Sequence, residues 1–185
     1  MSSNSEAIER AEIVHEKPVS GEFKEVLFGS DIGNTLWIKF TDRDGIEEWV
    51  GKFGVGTSAT MRVTRVIEPD QFLVVAGGFA YLVNATTRTL LNHYFAPYVT
   101  DIAYDSVRDE FIGGDVFLRI IRDNEQIWRS NRIASDGINH MKIDGRILYG
   151  MAVTGLQGEE EPFEFDLDHR SFRLRPHYSP WDGGL

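Results

Sequence analysis

Short apolar runs that stop at a glycine recur along most of the chain. Each run is followed by a second apolar run, a polar turn and a third apolar run, so the pattern repeats as a unit. Short runs separated by turn-forming residues are typical of β-strands joined in antiparallel pairs. The chain is therefore predicted to contain about four β-units. Their glycines, spaced by 48, 36 and 37 residues, are Gly29, Gly77, Gly113 and Gly150.

A fourth apolar run follows in the first three repeats, and we expect it to close each unit. These runs lie at 61–67, 99–104 and 138–143. Apolar and polar residues alternate with a period of two in the first of them, as in a strand, although Arg65 interrupts the apolar face. Glycines and turn formers interrupt every window that could form a long amphipathic helix. The predicted class is all-β.

Units of four strands that repeat every 36 to 48 residues are typical of propeller blades. We therefore predict a propeller-like array of about four short antiparallel β-units. The same strands also fit a β-sandwich or barrel, which stays open as a second architecture. An array that does not close leaves edge strands exposed, and a homodimer is then expected.

The two ends of the chain differ from the repeats. Residues 1–22 contain few apolar positions, and Pro18 and Gly21 end any helical pattern, so a flexible N-terminal arm is predicted. Residues 23–175 form the predicted single all-β repeat domain. Residues 176–185 are rich in turn formers and form the predicted C-terminal tail.

The most distinctive string is Trp-Arg-Ser at 128–130 with Arg132, followed by Asp-Gly-Ile at 136–138 and Pro-Phe-x-x-Asp-Leu at 162–167. It resembles a set of small bacterial proteins of unassigned function, and the similarity covers roughly residues 37–175. The resemblance implies a β-repeat domain of bacterial origin. It implies no activity, and no catalytic or binding residue is carried over from that set.

Composition and charge exclude several classes of function. The chain of 185 residues contains no cysteine, which excludes disulfides, thiolate metal sites and a cysteine nucleophile. Its formal charge of −10 argues against binding to nucleic acid or to an anionic membrane. The N-terminus carries no basic and apolar leader, and the longest apolar stretch, 72–83, is too short to span a bilayer as a helix. A cytoplasmic protein is expected.

Histidine is the residue type that would support catalysis at neutral pH. The five histidines form no H-x-H or H-E-x-x-H pair, so neither a metal site nor a cofactor is predicted. His140 alternates with Ile138 on a predicted strand, which would place it on a face with core residues. An enzyme would need His140 or His93 to meet a carboxylate between the β-units, and the candidates are Asp101, Asp115 and Asp136.

The candidate partner-binding residues are Trp128, Arg129, Arg132 and Asp136. Trp and Arg are among the side chains most enriched where proteins bind partners. In the other interpretation Trp128 fills the core, as Trp49 is expected to do at the matching position of the first repeat, and Arg129 pairs with Asp136. Both interpretations place these residues near one loop.

The acidic balance and the absence of a catalytic motif favour a non-enzymatic protein-interaction module. A run of glutamates at 159–161 adds local negative charge that would attract a basic partner. One form of this hypothesis is an immunity-like protein that neutralises a basic toxin. Two further hypotheses stay open: a hydrolase or isomerase with a His/Asp site, and a sugar-binding module that uses exposed tryptophans such as Trp37, Trp49 or Trp181.

Overall fold

Four four-stranded β-sheets make up the computed structural model of the chain. It describes residues 8–19, 21–29, 33–46, 48–66, 70–95 (at Phe95 the backbone only), 99–123, 125–155 and 157–177. Within these residues the sixteen strands are β1 (Ile8–Val14), β2 (Lys24–Phe28), β3 (Thr35–Asp42), β4 (Glu48–Gly54), β5 (Met61–Arg65), β6 (Gln71–Ala76), β7 (Phe79–Asn84), β8 (Thr89–Phe95), β9 (Asp101–Asp105), β10 (Glu110–Gly114), β11 (Leu118–Arg122), β12 (Glu125–Arg129), β13 (Gly137–Asp144), β14 (Ile147–Val153), β15 (Glu160–Asp166) and β16 (Ser171–Leu174). The predictions of an all-β chain and of four β-units, consistent with a propeller-like array, are confirmed.

The chain divides into two compact units, Met1–Pro97 and Tyr98–Leu185. The N-terminal unit contains the sheets with orders β1-β3-β4-β2 and β5-β6-β7-β8. The C-terminal unit contains β9-β10-β11-β12 and β13-β14-β15-β16. No helix in the described part of the chain is both long and apolar enough to cross a membrane.

Each sheet after the first begins one strand earlier than the sequence pattern indicates. The runs 61–67, 99–104 and 138–143 provide β5, β9 and β13, which open the following sheet instead of closing the preceding one. The reason lies in the lengths of the connections. Only Gly145 and Arg146 separate β13 from β14, whereas seven residues separate β12 from β13. A short connection makes consecutive strands antiparallel neighbours, so the turn length decides which sheet a strand joins.

The predicted flexible arm at 1–22 contains a strand of the first sheet. Strand β1 pairs antiparallel with β3, and Ile8 is 1% exposed in the core. Too few apolar residues occur in this segment to identify a strand, because the long-range pairing supplies the stability that the local pattern lacks. Strand β2 takes the opposite edge, parallel to β4. Residues 1–7 lie outside the described residues.

A five-residue turn segment recurs at three hairpins. The segments 84–88, 105–109 and 166–170 each begin with Asn or Asp, whose side-chain oxygen accepts a backbone N–H two or three residues later. Each segment ends on a residue in the left-handed region, with φ of 59°, 53° and 50°. Asn and Asp stabilise such turns by this local hydrogen bond. The repeat seen in the sequence is therefore also a repeat of turn chemistry.

The last strand of three sheets carries a bulge at its third residue. The extra residues are Leu91 in β8, Ile127 in β12 and Arg173 in β16. A bulge interrupts the row of free backbone groups at a sheet edge and hinders pairing with another strand. Strand β2, at the corresponding edge of the first sheet, instead keeps five consecutive pairs with β4.

The two units have different cores. The N-terminal core is aromatic: the Phe40 and Trp49 rings stack with centroids 4.3 Å apart, and Tyr81 donates a 2.9 Å hydrogen bond to the carbonyl of Gly54. Burial raises the pKa of Tyr81 to about 12. The C-terminal core is mainly aliphatic, with Phe163 and Phe165 as its largest buried side chains. The prediction that Trp49 fills the core is confirmed, since its side chain is fully buried.

Candidate functional site

The strands of the C-terminal unit run between two different ends. At one end, the turn end, tight connections join β9 to β10, β13 to β14 and β15 to β16. At the other, the loop end, the connections are the short segment 115–117, the seven residues 130–136 and the segment that follows Val153. Long loops positioned by a rigid sheet are where binding residues concentrate.

Buried carboxylates are matched by arginines at the turn end. Arg108 links the buried Asp105 to the exposed Asp168 through its two terminal nitrogens. Glu110 is 1% exposed, and its Oε1 atom accepts hydrogen bonds from both Arg122 and Arg170. These pairs join the β9–β10 turn to the β15–β16 turn, so they hold the two sheets of the unit together.

Asp166 is the third buried carboxylate at this end, and it lies among three basic side chains. Arg173 Nη2 is 3.0 Å and Arg146 Nε is 3.6 Å from Oδ2, while His169 Nδ1 is 3.1 Å from Oδ1. Burial raises the pKa of Asp166, but hydrogen bonds from the backbone and side chain of His169 and from Arg173 outweigh it and lower the pKa to about 2. The group is therefore ionised at any physiological pH.

An aromatic ring between two arginines defines one half of the loop end. Phe117 lies in the β10–β11 loop, and its backbone N–H donates a 2.7 Å hydrogen bond to Asp115 Oδ1. The guanidinium carbons of Arg119 and Arg129 lie 5.7 Å and 4.7 Å from the ring centroid. Arg119 also donates a 2.5 Å hydrogen bond to Asp115 Oδ2. Arg129 is exposed, and its guanidinium has no hydrogen-bond or ion-pair partner within the described residues.

The Trp-Arg-Ser-x-Arg string builds the loop beside this ring. Trp128 is half-buried, with its ring centroid 5.0 Å from that of Phe165. Ser130 Oγ accepts a 3.0 Å hydrogen bond from the backbone N–H of Leu118 and so closes the β11–β12 pair. Arg132 donates to the carbonyls of Ala134 and Ser135, both at 2.9 Å, and shapes the turn toward β13. Most of the string therefore has a structural role.

Carboxylates define the other half of the loop end. Asp136 precedes β13 and is exposed. Glu159, the last residue of the β14–β15 connection, and Glu160, the first residue of β15, are also exposed. Their hydrogen-bond donors are neutral: the N–H of Gln157 for Glu159, and Asn139 Nδ2 for Glu160.

Glu161 follows the same pattern, with the Thr154 hydroxyl and the backbone N–H of His177 as donors. Over the part of the chain that the structure describes, Asp136 and the three glutamates have no cationic partner.

The structure places the four predicted partner-binding residues around the β12–β13 connection. Arg129, Arg132 and Asp136 are exposed, whereas Trp128 packs against the core. No ion pair joins Arg129 to Asp136 among the residues described, so the pairing expected in the core interpretation is not formed.

The predicted position of His140 on the core face is wrong. A bulge in β13 places His140 and Met141 opposite the single residue Gly150. His140 takes φ of 56° and is exposed, while Met141 is 3% exposed and occupies the core position. The buried Asp101 holds this bulge, because its Oδ2 atom accepts a 2.8 Å hydrogen bond from the Met141 N–H. Alternation with a period of two cannot anticipate an inserted residue.

Within the described residues His140 meets no carboxylate, and Trp49 offers no open face to a sugar. Asp115 accepts hydrogen bonds from the Phe117 backbone N–H and from Arg119. In the part of the chain that the structure describes, no hydrogen bond joins His140 to a carboxylate. Trp49 is buried, so it cannot serve as an open platform for a sugar, and Trp37 lies beneath the ammonium of Lys52, 5.1 Å from the ring centroid. Residues 178–185, which include Trp181 and Tyr178 of the predicted tail, lie outside the described residues.

Sequence reasoning did not single out Asp115, Phe117 or Arg119 as neighbours of Arg129. Phe117 and Arg119 belong to the run 116–121, which predicts a continuous strand from Val116 directly after Asp115, whereas β11 begins at Leu118. The available signal was Asp115 itself, since an Asp followed two residues later by a bonded N–H is a common turn. No family model matches this chain, and no curated protein resembles it closely enough to count as a match.

Proposed function

We propose that the protein is a non-enzymatic protein-interaction module that binds a basic partner at the loop end of the C-terminal unit. The observation that supports this most is the difference in charge pairing between the two ends. At the turn end each buried carboxylate has an arginine of its own chain, whereas the three glutamates 159–161 of the loop end have only neutral donors.

Unpaired surface carboxylates favour a partner in two ways. They add to the field of a chain whose formal charge is −10, and this field speeds the encounter with a cationic surface. They also keep their hydration until the partner arrives, so a lysine or arginine of the partner gains a new ion pair instead of competing with an existing one. Tight packing of Ile133 and Ala134 beneath the loop, both fully buried, fixes the backbone that presents Asp136.

The proposal includes a cytoplasmic location and an immunity-like role, the neutralisation of a basic toxin. A binding protein of this kind needs a preformed charged surface and no catalytic group, which agrees with the rigid β-framework of the unit. Cell fractionation would test the location. Light scattering of the purified protein would test whether it forms the homodimer expected for an open array.

The test is affinity capture of the tagged protein from a lysate of its source cells, at about 50 mM and then about 500 mM salt. It is repeated with the variant Glu159→Gln/Glu160→Gln/Glu161→Gln. The control variant, Glu12→Gln/Glu16→Gln/Asp44→Asn, removes the same charge from exposed positions of the N-terminal unit. We expect a basic protein that binds the wild type and the control, is released by salt and is lost from the loop-end variant.

Two results would contradict the proposal. One is capture of no stoichiometric partner at low salt. The other is a partner that both variants lose equally, because net charge and not the loop end would then explain the binding.

A further inference from the structure

Two lysines of the N-terminal unit each stack on an aromatic ring and also pair with a carboxylate. Lys39 lies 5.3 Å from the Phe23 ring centroid and 2.7 Å from a carboxylate oxygen of Glu48. Lys52 lies 5.1 Å from the Trp37 ring centroid and 3.6 Å from an oxygen of Glu25. In both cases the ring covers one side of the cation and the carboxylate neutralises it.

At the loop end two arginines stack on the same ring, but only one of them also pairs with a carboxylate within the described residues. Arg119 stacks on Phe117 and pairs with Asp115, whereas Arg129 stacks on the same ring at the shorter distance of 4.7 Å and lacks a carboxylate among the residues described. Arg119 and Arg129 are also directly opposite each other in the β11–β12 register. Like charges in that position repel, and the contact that each guanidinium makes with the Phe117 ring offsets this repulsion.

We propose that Arg129, held on Phe117, is a binding site for a carboxylate that the partner supplies. This inference deepens the proposed function: the partner then presents cations to the glutamates and an acidic side chain or C-terminus to Arg129. A guanidinium binds a carboxylate through two parallel N–H donors. Stacking on the ring restricts the side chain before binding, so less rotational freedom is lost when the complex forms.

A carboxylate fits this site better than a phosphate. The second arginine at the ring, Arg119, is already neutralised by Asp115, which is only 14% exposed and stays close to the ring. A dianionic phosphate would meet one available guanidinium and one fixed negative charge. A monoanion matches the single charge of Arg129.

The site is tested on the isolated protein by NMR of the arginine Nε–H groups. N-acetylglycine is the carboxylate probe, and phenyl phosphate is the competing probe. Arg175 is the internal control, because it is exposed and has neither a ring contact nor an ion pair in the described structure. We expect Arg129 to bind N-acetylglycine about two- to tenfold more tightly than Arg175 does, because the ring contact has already restricted the Arg129 side chain. The variant Phe117→Leu should reduce this difference to none.

Equal affinities at Arg129 and Arg175 would overturn the proposal, as would tighter binding of phenyl phosphate than of N-acetylglycine at Arg129. A Phe117→Leu variant that keeps the full preference would also overturn it, since the ring would then have no role. None of these measurements involves the partner. A failure here therefore leaves the capture experiment on the glutamates to be judged separately.

Discussion

The two ends of the C-terminal unit both carry acidic and basic side chains but arrange them differently. At the turn end, acids with exposures of 1% to 4% lie in contact with arginines. At the loop end, exposed acids lie beside neutral donors, and an exposed arginine lies on a ring. Charge that is removed from water must be paired within the fold, whereas hydrated charge stays available to other molecules. The turn end therefore depends on its internal ion pairs, whereas the exposed charges of the loop end stay hydrated.

The largest effect is expected from removing both arginines of Glu110. In Arg122→Ala/Arg170→Ala, a buried carboxylate loses its cations, which costs about 3 kcal/mol of the free energy of unfolding. Urea denaturation measures this loss. Adding Glu110→Leu should restore part of the stability, because the buried charge is then gone. If the double variant were as stable as the wild type, the buried carboxylate would not depend on its arginines. The two ends would then not differ in their need for charge pairing within the fold.

A smaller effect on the free energy of unfolding is expected from the protonation of Asp166 at low pH. The pKa of Asp166 is about 2 in the folded protein, below its ordinary value of 3.8. Its ionised form therefore stabilises the fold fully above about pH 4, and this contribution is lost as the pH falls toward 2. We expect Asp166→Asn to be less stable than the wild type at pH 5, with a smaller further loss between pH 4 and 2. The measurement is urea denaturation at several pH values in this range. If Asp166 had no such role, the free energies of unfolding of the variant and the wild type would differ by the same amount at every pH.

Neutralising the loop end should change stability least. In Glu159→Gln/Glu160→Gln/Glu161→Gln, each amide oxygen can accept one hydrogen bond, the amide NH2 at position 161 can donate to the Thr154 hydroxyl, and no ion pair is lost. The free energy of unfolding should therefore stay within about 0.5 kcal/mol of the wild type. Arg129→Ala should cost about 0.5 to 1 kcal/mol, the value of an exposed cation–ring contact. A loss above 2 kcal/mol in either variant, measured by urea denaturation, would mean that the loop end is also structural.

The sequence predicts the number and spacing of the β-units better than it predicts the strand at which each sheet begins. Apolar runs and turn formers identify the four units, because each strand needs a local pattern and each hairpin a local turn. They do not show that 61–67, 99–104 and 138–143 open the next sheet, since that choice depends on which neighbour the connection brings close. Strand β1 is missed for the related reason that its partner, β3, lies about twenty residues further along the chain.

At the candidate site, the sequence identifies the residues better than their contacts. Arg129 and Asp136 are singled out by residue type, and both are exposed. Their expected mutual pairing is absent within the described residues, and the ring that Arg129 contacts comes from another loop. The exposure of His140 follows from a bulge that Asp101 holds across two sheets. Contacts made between distant segments leave no periodic signal, so they appear only in the folded structure.

The strand order of the first sheet has a consequence for how the chain folds. The sheets β5–β8, β9–β12 and β13–β16 each consist of consecutive hairpins, whose strands can pair as soon as they are synthesised. In the sheet β1-β3-β4-β2, β1 can pair only after β3 has been synthesised, and β2 can pair only after β4 has been synthesised. We therefore expect β1 to stay unpaired until residue 42 has emerged from the ribosome, and β2 to stay unpaired until residue 54 has emerged.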